Sequence, residues 1–120
     1  MWKTILLITF IMLALDAVYL TATRSIFGAV VAKIQRVAMQ LRMEGAVVVY
    51  VLLVFGLYKF IISERRSVKD AAVLGLVIYG VFDFTNYAMF KNYDMATALM
   101  DTVWGSILMA LTTFFVYQVM

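Results

Sequence analysis

Hydrophobic and polar positions along this chain do not alternate; the apolar ones gather into four blocks. They are residues 2–22 (WKTILLITFIMLALDAVYLTA), 45–62 (GAVVVYVLLVFGLYKFII), 71–90 (AAVLGLVIYGVFDFTNYAMF) and 95–120 (MATALMDTVWGSILMALTTFFVYQVM). Each is close to the roughly 20 residues that an α-helix needs to cross the hydrocarbon core of a bilayer. Backbone groups in hydrocarbon must pair within their own segment, so each block is predicted to be helical despite its many β-branched residues. The connections SERRSVKD and KNYD are short and polar, which makes blocks two, three and four sequential antiparallel neighbours.

The stretch between blocks one and two follows a different rule. Across residues 25–43, Val30, Val31, Ile34, Val37, Ala38 and Leu41 recur at helical spacing, while Lys33, Gln35, Arg36, Gln40 and Arg42 fall elsewhere. That pattern predicts a basic amphipathic helix lying in the membrane interface, with Lys33, Arg36 and Arg42 at the lipid surface. Packing on the bundle's own surface, or on a partner, would use the same pattern.

Composition agrees with a bilayer as solvent. The chain has 120 residues, enough for one domain, and is 66% hydrophobic, with a mean hydropathy of +1.00. It has no Cys and no His, which excludes disulfides, thiolate or imidazole metal sites and the usual general base. No phosphate-binding, dinucleotide or zinc-protease motif occurs, so no cofactor, metal or catalytic residue is assigned. The net charge of +3 is spread over segment ends, a distribution that suits anionic headgroups rather than nucleic acid. Block one follows Lys3 but carries Asp16 and lacks an A-x-A-like cleavage site, so it reads as a retained helix. Lys and Arg divide five against five between the two faces. Interfacial-helix charges count less than loop charges, which tips the expectation toward cytoplasmic termini.

Three aspartates interrupt the apolar blocks: Asp16, Asp83 and Asp101. A carboxylate at the bilayer centre costs about 2.5–3.5 kcal/mol on insertion scales, so it must face protein or water and have a partner. With the helices running up, down, up, down, all three lie about 10 Å below the same face. At i, i+3 and i, i+4 spacing, Asp16 shares a face with Tyr19, Asp83 with Asn86 and Tyr87, and Asp101 with Trp104 and Gly105. Tyr79 is one turn before Asp83. Gly75, Gly80, Gly105 and Ser106 would let the last two helices approach closely. Trp2, Tyr19, Tyr58, Tyr87, Tyr93 and Tyr117 fall mostly near segment ends, as in an aromatic belt.

Three readings of the aspartates remain open. They accept hydrogen bonds across helices and lock the bundle. They bind a proton, a cation or a small cationic solute, with permeation through an oligomer. Or they do acid–base chemistry on a lipid-like substrate, for which no nucleophile–base pair is evident.

The same residues carry a family resemblance. The segments FDFTNYAMFKNYD and MDTVWGSILMALTTFFVY resemble the C-terminal half of domain-of-unknown-function family 2177. The pattern there is Asp-Leu-Thr-Asn, a stretch with Lys, then Asp-x-x-Trp-Gly. Asp83, Thr85 and Asn86 match the first element with Phe84 in place of Leu, Lys91 matches the Lys, and Asp101, Trp104 and Gly105 match the second. LDAVYL resembles the family's Leu-Asp-x-x-Trp-Leu, with Tyr19 replacing Trp. The likeness extends over nearly the whole chain. It implies a four-helix membrane protein and no particular activity.

The sequence therefore predicts an all-α integral membrane four-helix bundle with an amphipathic interfacial helix between spans one and two. Its expected partners are the lipid bilayer, a further copy of itself, and a small cation or proton. Asp16, Asp83 and Asp101 are the candidate ligands, with Asn86, Tyr87 and Trp104 orienting them. The alternative is a scaffold whose aspartates only lock the bundle and whose basic helix binds membrane or a partner.

Overall fold

The computed structural model describes residues 1–35 and 43–120, with side chains described outside positions 27, 28, 30–35 and 43. Four long helices follow in order: α1 (Trp2–Gln35), α2 (Met43–Leu57, continued by a π-helical turn over Tyr58–Ile62), α3 (Val68–Met89) and α4 (Met95–Val119). Each is long and apolar enough to cross a membrane. The protein is an all-α, four-helix, multi-pass membrane bundle.

Helix α1 does not stop at Ala22, where the apolar run thins. It continues unbroken to Gln35, and its apolar span ends at Ile26. No proline interrupts it, and the Thr23 hydroxyl donates back to the Tyr19 carbonyl at 2.8 Å. Its 34 residues extend about 51 Å, so part of the helix must leave the roughly 30 Å hydrocarbon core. The amphipathic pattern thus begins on an extension of the first span. The side chains of Lys33, Arg36 and Arg42 lie outside the described residues.

The other ends carry local signals. Ser67 caps α3 by accepting from the Asp70 N–H at 3.1 Å. Asp94 caps α4, accepting from the Thr97 N–H at 2.7 Å and the Thr97 hydroxyl at 3.1 Å. Asp94→Ala is expected to destabilise the protein by about 1 kcal/mol, the usual worth of an N-cap, measured by thermal unfolding in mild detergent. At the opposite end, the Tyr117 hydroxyl donates to the Arg66 carbonyl at 2.7 Å and ties α4 to the α2–α3 turn.

Packing is uneven. Helices α3 and α4 share by far the largest interface, α1 leans on α4, and α2 meets α1 more sparsely. The reason for the first lies in two glycines. A Cβ at Gly75 would sit 2.2 Å from the Gly105 carbonyl oxygen, and one at Gly105 would sit 2.0 Å from the Tyr79 ring. Ser106 adds a hydrogen bond to the Ala72 carbonyl at 2.8 Å. Small residues give the close backbone approach that drives helix association in lipid. Gly80 has ordinary room, with the Thr102 methyl 3.5 Å away.

An apolar core that includes Ile8, Met12, Leu57, Ala71, Leu108 and Met109 is fully buried. Large apolar side chains such as Phe10, Val47, Leu52, Phe55 and Val81 face outward, as a lipid-solvated surface requires.

Candidate functional site

Asp16, Asp83 and Asp101 are buried, Asp83 completely. They are held in one polar layer by neutral donors, most of them from other parts of the fold. Asp16 on α1 accepts from the Trp104 indole N–H of α4 at 2.9 Å and from the Tyr50 hydroxyl of α2. Asp101 on α4 accepts from the Tyr19 hydroxyl of α1 at 2.8 Å. Asp83 on α3 accepts from Tyr93, in the α3–α4 turn, at 3.0 Å and from Thr102 at 3.5 Å. The Asp83 and Asp101 carboxyls face each other across the α3–α4 interface, near enough for their charges to interact.

The sequence placed Tyr19 on the face of Asp16 and Trp104 on the face of Asp101. The structure exchanges those partners across the bundle: Tyr19 serves Asp101 and Trp104 serves Asp16. The two rings stack with centroids 4.6 Å apart and planes within 4°. One α1–α4 crossing thus fixes two carboxyls and an aromatic stack.

Among the described residues, no Lys or Arg pairs with any of the three carboxyls. The ion pairs there are Arg66 with Glu64 and with Asp70, both exposed. The described residues also contain no group of three acids placed to hold a metal ion. The layer is three acids solvated by phenols, an indole and a hydroxyl.

The other expected site residues divide. Asn86 reaches the site indirectly, through its influence on the Tyr93 hydroxyl, which in turn serves Asp83. Tyr87 is not brought in. It is exposed, with its ring edge-on to Phe84 at 6.3 Å, and the phenol that donates to Asp83 is Tyr93. Tyr19 and Tyr93, expected in the aromatic belt, belong to the polar layer instead. Tyr50 and Thr102 carried no sequence signal beyond being polar in an apolar run.

Tyr93 lies outside the spanning segments. Burial, and then the Asp83 carboxyl that accepts its hydrogen bond, hold its hydroxyl protonated above the ordinary tyrosine range; Asn86 opposes this. A raised folded-state value means that this contribution is complete below the ordinary tyrosine pKa of about 10. It is lost as pH climbs from there through the folded value. The stability advantage of wild type over Tyr93→Phe should therefore narrow at strongly alkaline pH, measured by unfolding at a series of pH values.

No curated protein and no solved structure matches the chain. The family described as "Predicted membrane protein (DUF2177)" matches residues 1–118, in accord with four apolar helices built around buried aspartates, and the chain belongs to that family.

Proposed function

We propose that the polar layer is an ion-binding site, and that the protein binds a proton or a small monovalent cation and links it to permeation of a small solute, as an oligomer. The observation that supports this reading is the absence, among the described residues, of any positive charge against three buried carboxyls. Neutral donors solvate a carboxylate but do not cancel its charge, and like charges in a low-dielectric site disfavour joint ionisation. A proton or cation held at the facing Asp83–Asp101 pair would offset one of the three negative charges. Asp16 completes the layer from α1. Asn86 acts through Tyr93, and Trp104 orients Asp16. The termini are placed on the cytoplasmic side in this reading.

A second reading has its own support. All three carboxyls have donors from another helix or from the turn, so the layer also suits a lock worth about 1 kcal/mol per contact. The protein would then be a scaffold, with its basic segment on the membrane or a partner. Exchange of ions separates the two. Infrared spectra of the reconstituted protein, recorded across pH and with sodium or potassium, should show in wild type a buried-carboxyl response that is missing from Asp83→Asn, over the common background of exposed acids such as Glu64 and Asp70. A wild-type response no larger than that of Asp83→Asn would leave the lock.

A further inference from the structure

Helices α1 and α2 enclose a groove of about 630 Å³, within the range of small-molecule sites. Its α1 wall is Trp2, Ile5, Thr9 and Leu13, spaced three, four and four residues apart. Asp16 is the next position on that stripe, three residues on. Tyr50 lines the groove from α2 and donates its hydroxyl to Asp16. The groove therefore runs along apolar walls toward a phenol backed by a buried carboxyl.

We propose that this groove binds a singly charged amphipathic amine, its apolar body between α1 and α2 and its ammonium at the Tyr50–Asp16 end. This deepens the reading of the aspartates as an ion-binding layer and rests on it. The charge argument selects the occupant. The Thr9 hydroxyl is committed to the Ile5 carbonyl at 2.8 Å, so the walls near it are apolar, and the charged group within reach of the groove is the Asp16 carboxyl behind Tyr50. An anion would meet the Asp16 carboxyl. An ammonium that displaces the Tyr50 hydroxyl from Asp16 gains a charge-assisted contact in low dielectric.

The test uses the full chain in phosphatidylcholine nanodiscs. Decylammonium and decanol share a chain and differ in charge. Equilibrium dialysis at neutral pH should show saturable binding of decylammonium to wild type and a loss of about tenfold or more in Asp16→Asn, the factor expected of one charge-assisted contact. Leu13→Trp fills the groove without supplying a carboxyl partner and should abolish that binding. Val48→Trp, on an exposed position outside the groove, should retain it. Decanol should not distinguish wild type from Asp16→Asn.

Equal binding of the two probes, or full binding in Leu13→Trp, would overturn the proposal and leave the groove to lipid chains or a second copy. A wild-type carboxyl response beyond that of Asp83→Asn in the same nanodiscs would then confine the failure to the groove. Its absence would remove the ion-binding reading as well.

Discussion

Gly105→Ala should largely disrupt the bundle. One methyl at that position falls 2.0 Å from a Tyr79 ring carbon and 2.5 Å from its Cβ, closer than any relaxed contact. Tyr79 cannot simply swing away, because its own Cβ is part of the clash. The α3–α4 pair must separate, and with it Asp83 from Asp101 and Thr102. Overpacking of this kind costs about 1–3 kcal/mol and occasionally more, a large share of the stability of a small protein. Gly75→Ala should behave alike, because its methyl meets the Gly105 carbonyl oxygen at 2.2 Å. Gly80→Ala is the control. Its methyl meets Thr102 at 3.5 Å, and the gain in helix propensity makes it neutral or stabilising. Thermal unfolding of the three variants in one detergent separates a specific close approach from a general intolerance of bulk on α3 and α4.

Asp83→Asn should leave a folded protein that no longer exchanges an ion at the facing pair. The amide keeps the shape of the acid and one oxygen for Tyr93, so the structural loss stays near the roughly 1 kcal/mol of a single interhelical hydrogen bond in lipid. Asp83→Leu removes both acceptors and strands the Tyr93 and Thr102 hydroxyls, at about 1–3 kcal/mol for each unpaired group. The two substitutions therefore differ in stability and agree in lost ion binding. A layer that served only as a lock would show the same graded loss of stability, but wild type itself would give no ion response for the substitutions to remove.

Much of this architecture is written in the sequence at the scale of segments. Block length fixed four spans, and counting residues from segment ends put Asp16, Asp83 and Asp101 at one depth. Gly75, Gly105 and Ser106 marked the closest helix pair, as small residues in lipid do. What was not legible is rotational phase. Spacing along one helix says that Asp16 and Tyr19 share a face; it does not say that Tyr19 crosses to Asp101 while Trp104 crosses back to Asp16. That exchange depends on how α1 and α4 meet. Tyr50 was hidden for the same reason, since nothing in VVVYVLL says which way the tyrosine turns. Tyr93 was hidden by its position: a tyrosine at a segment end fits an aromatic belt equally well, and only the fold of the KNYD turn brings it over Asp83. The first helix misled in the other direction. The change from apolar to amphipathic pattern after Ala22 suggested a new element, yet a change of pattern without a breaking residue is compatible with one continuous helix.

Exchange of a proton or a cation at the buried layer is measured most directly by infrared difference spectra of the reconstituted protein between mildly alkaline and mildly acidic pH, with Asp16→Asn, Asp83→Asn and Asp101→Asn beside wild type. Wild type should show a carboxyl response to pH or to added sodium or potassium beyond that of its exposed acids, with Asp83→Asn and Asp101→Asn each removing the response of the facing pair. A wild-type response equal to that of the variants, which then differ from it only in stability, would contradict ion exchange at the layer.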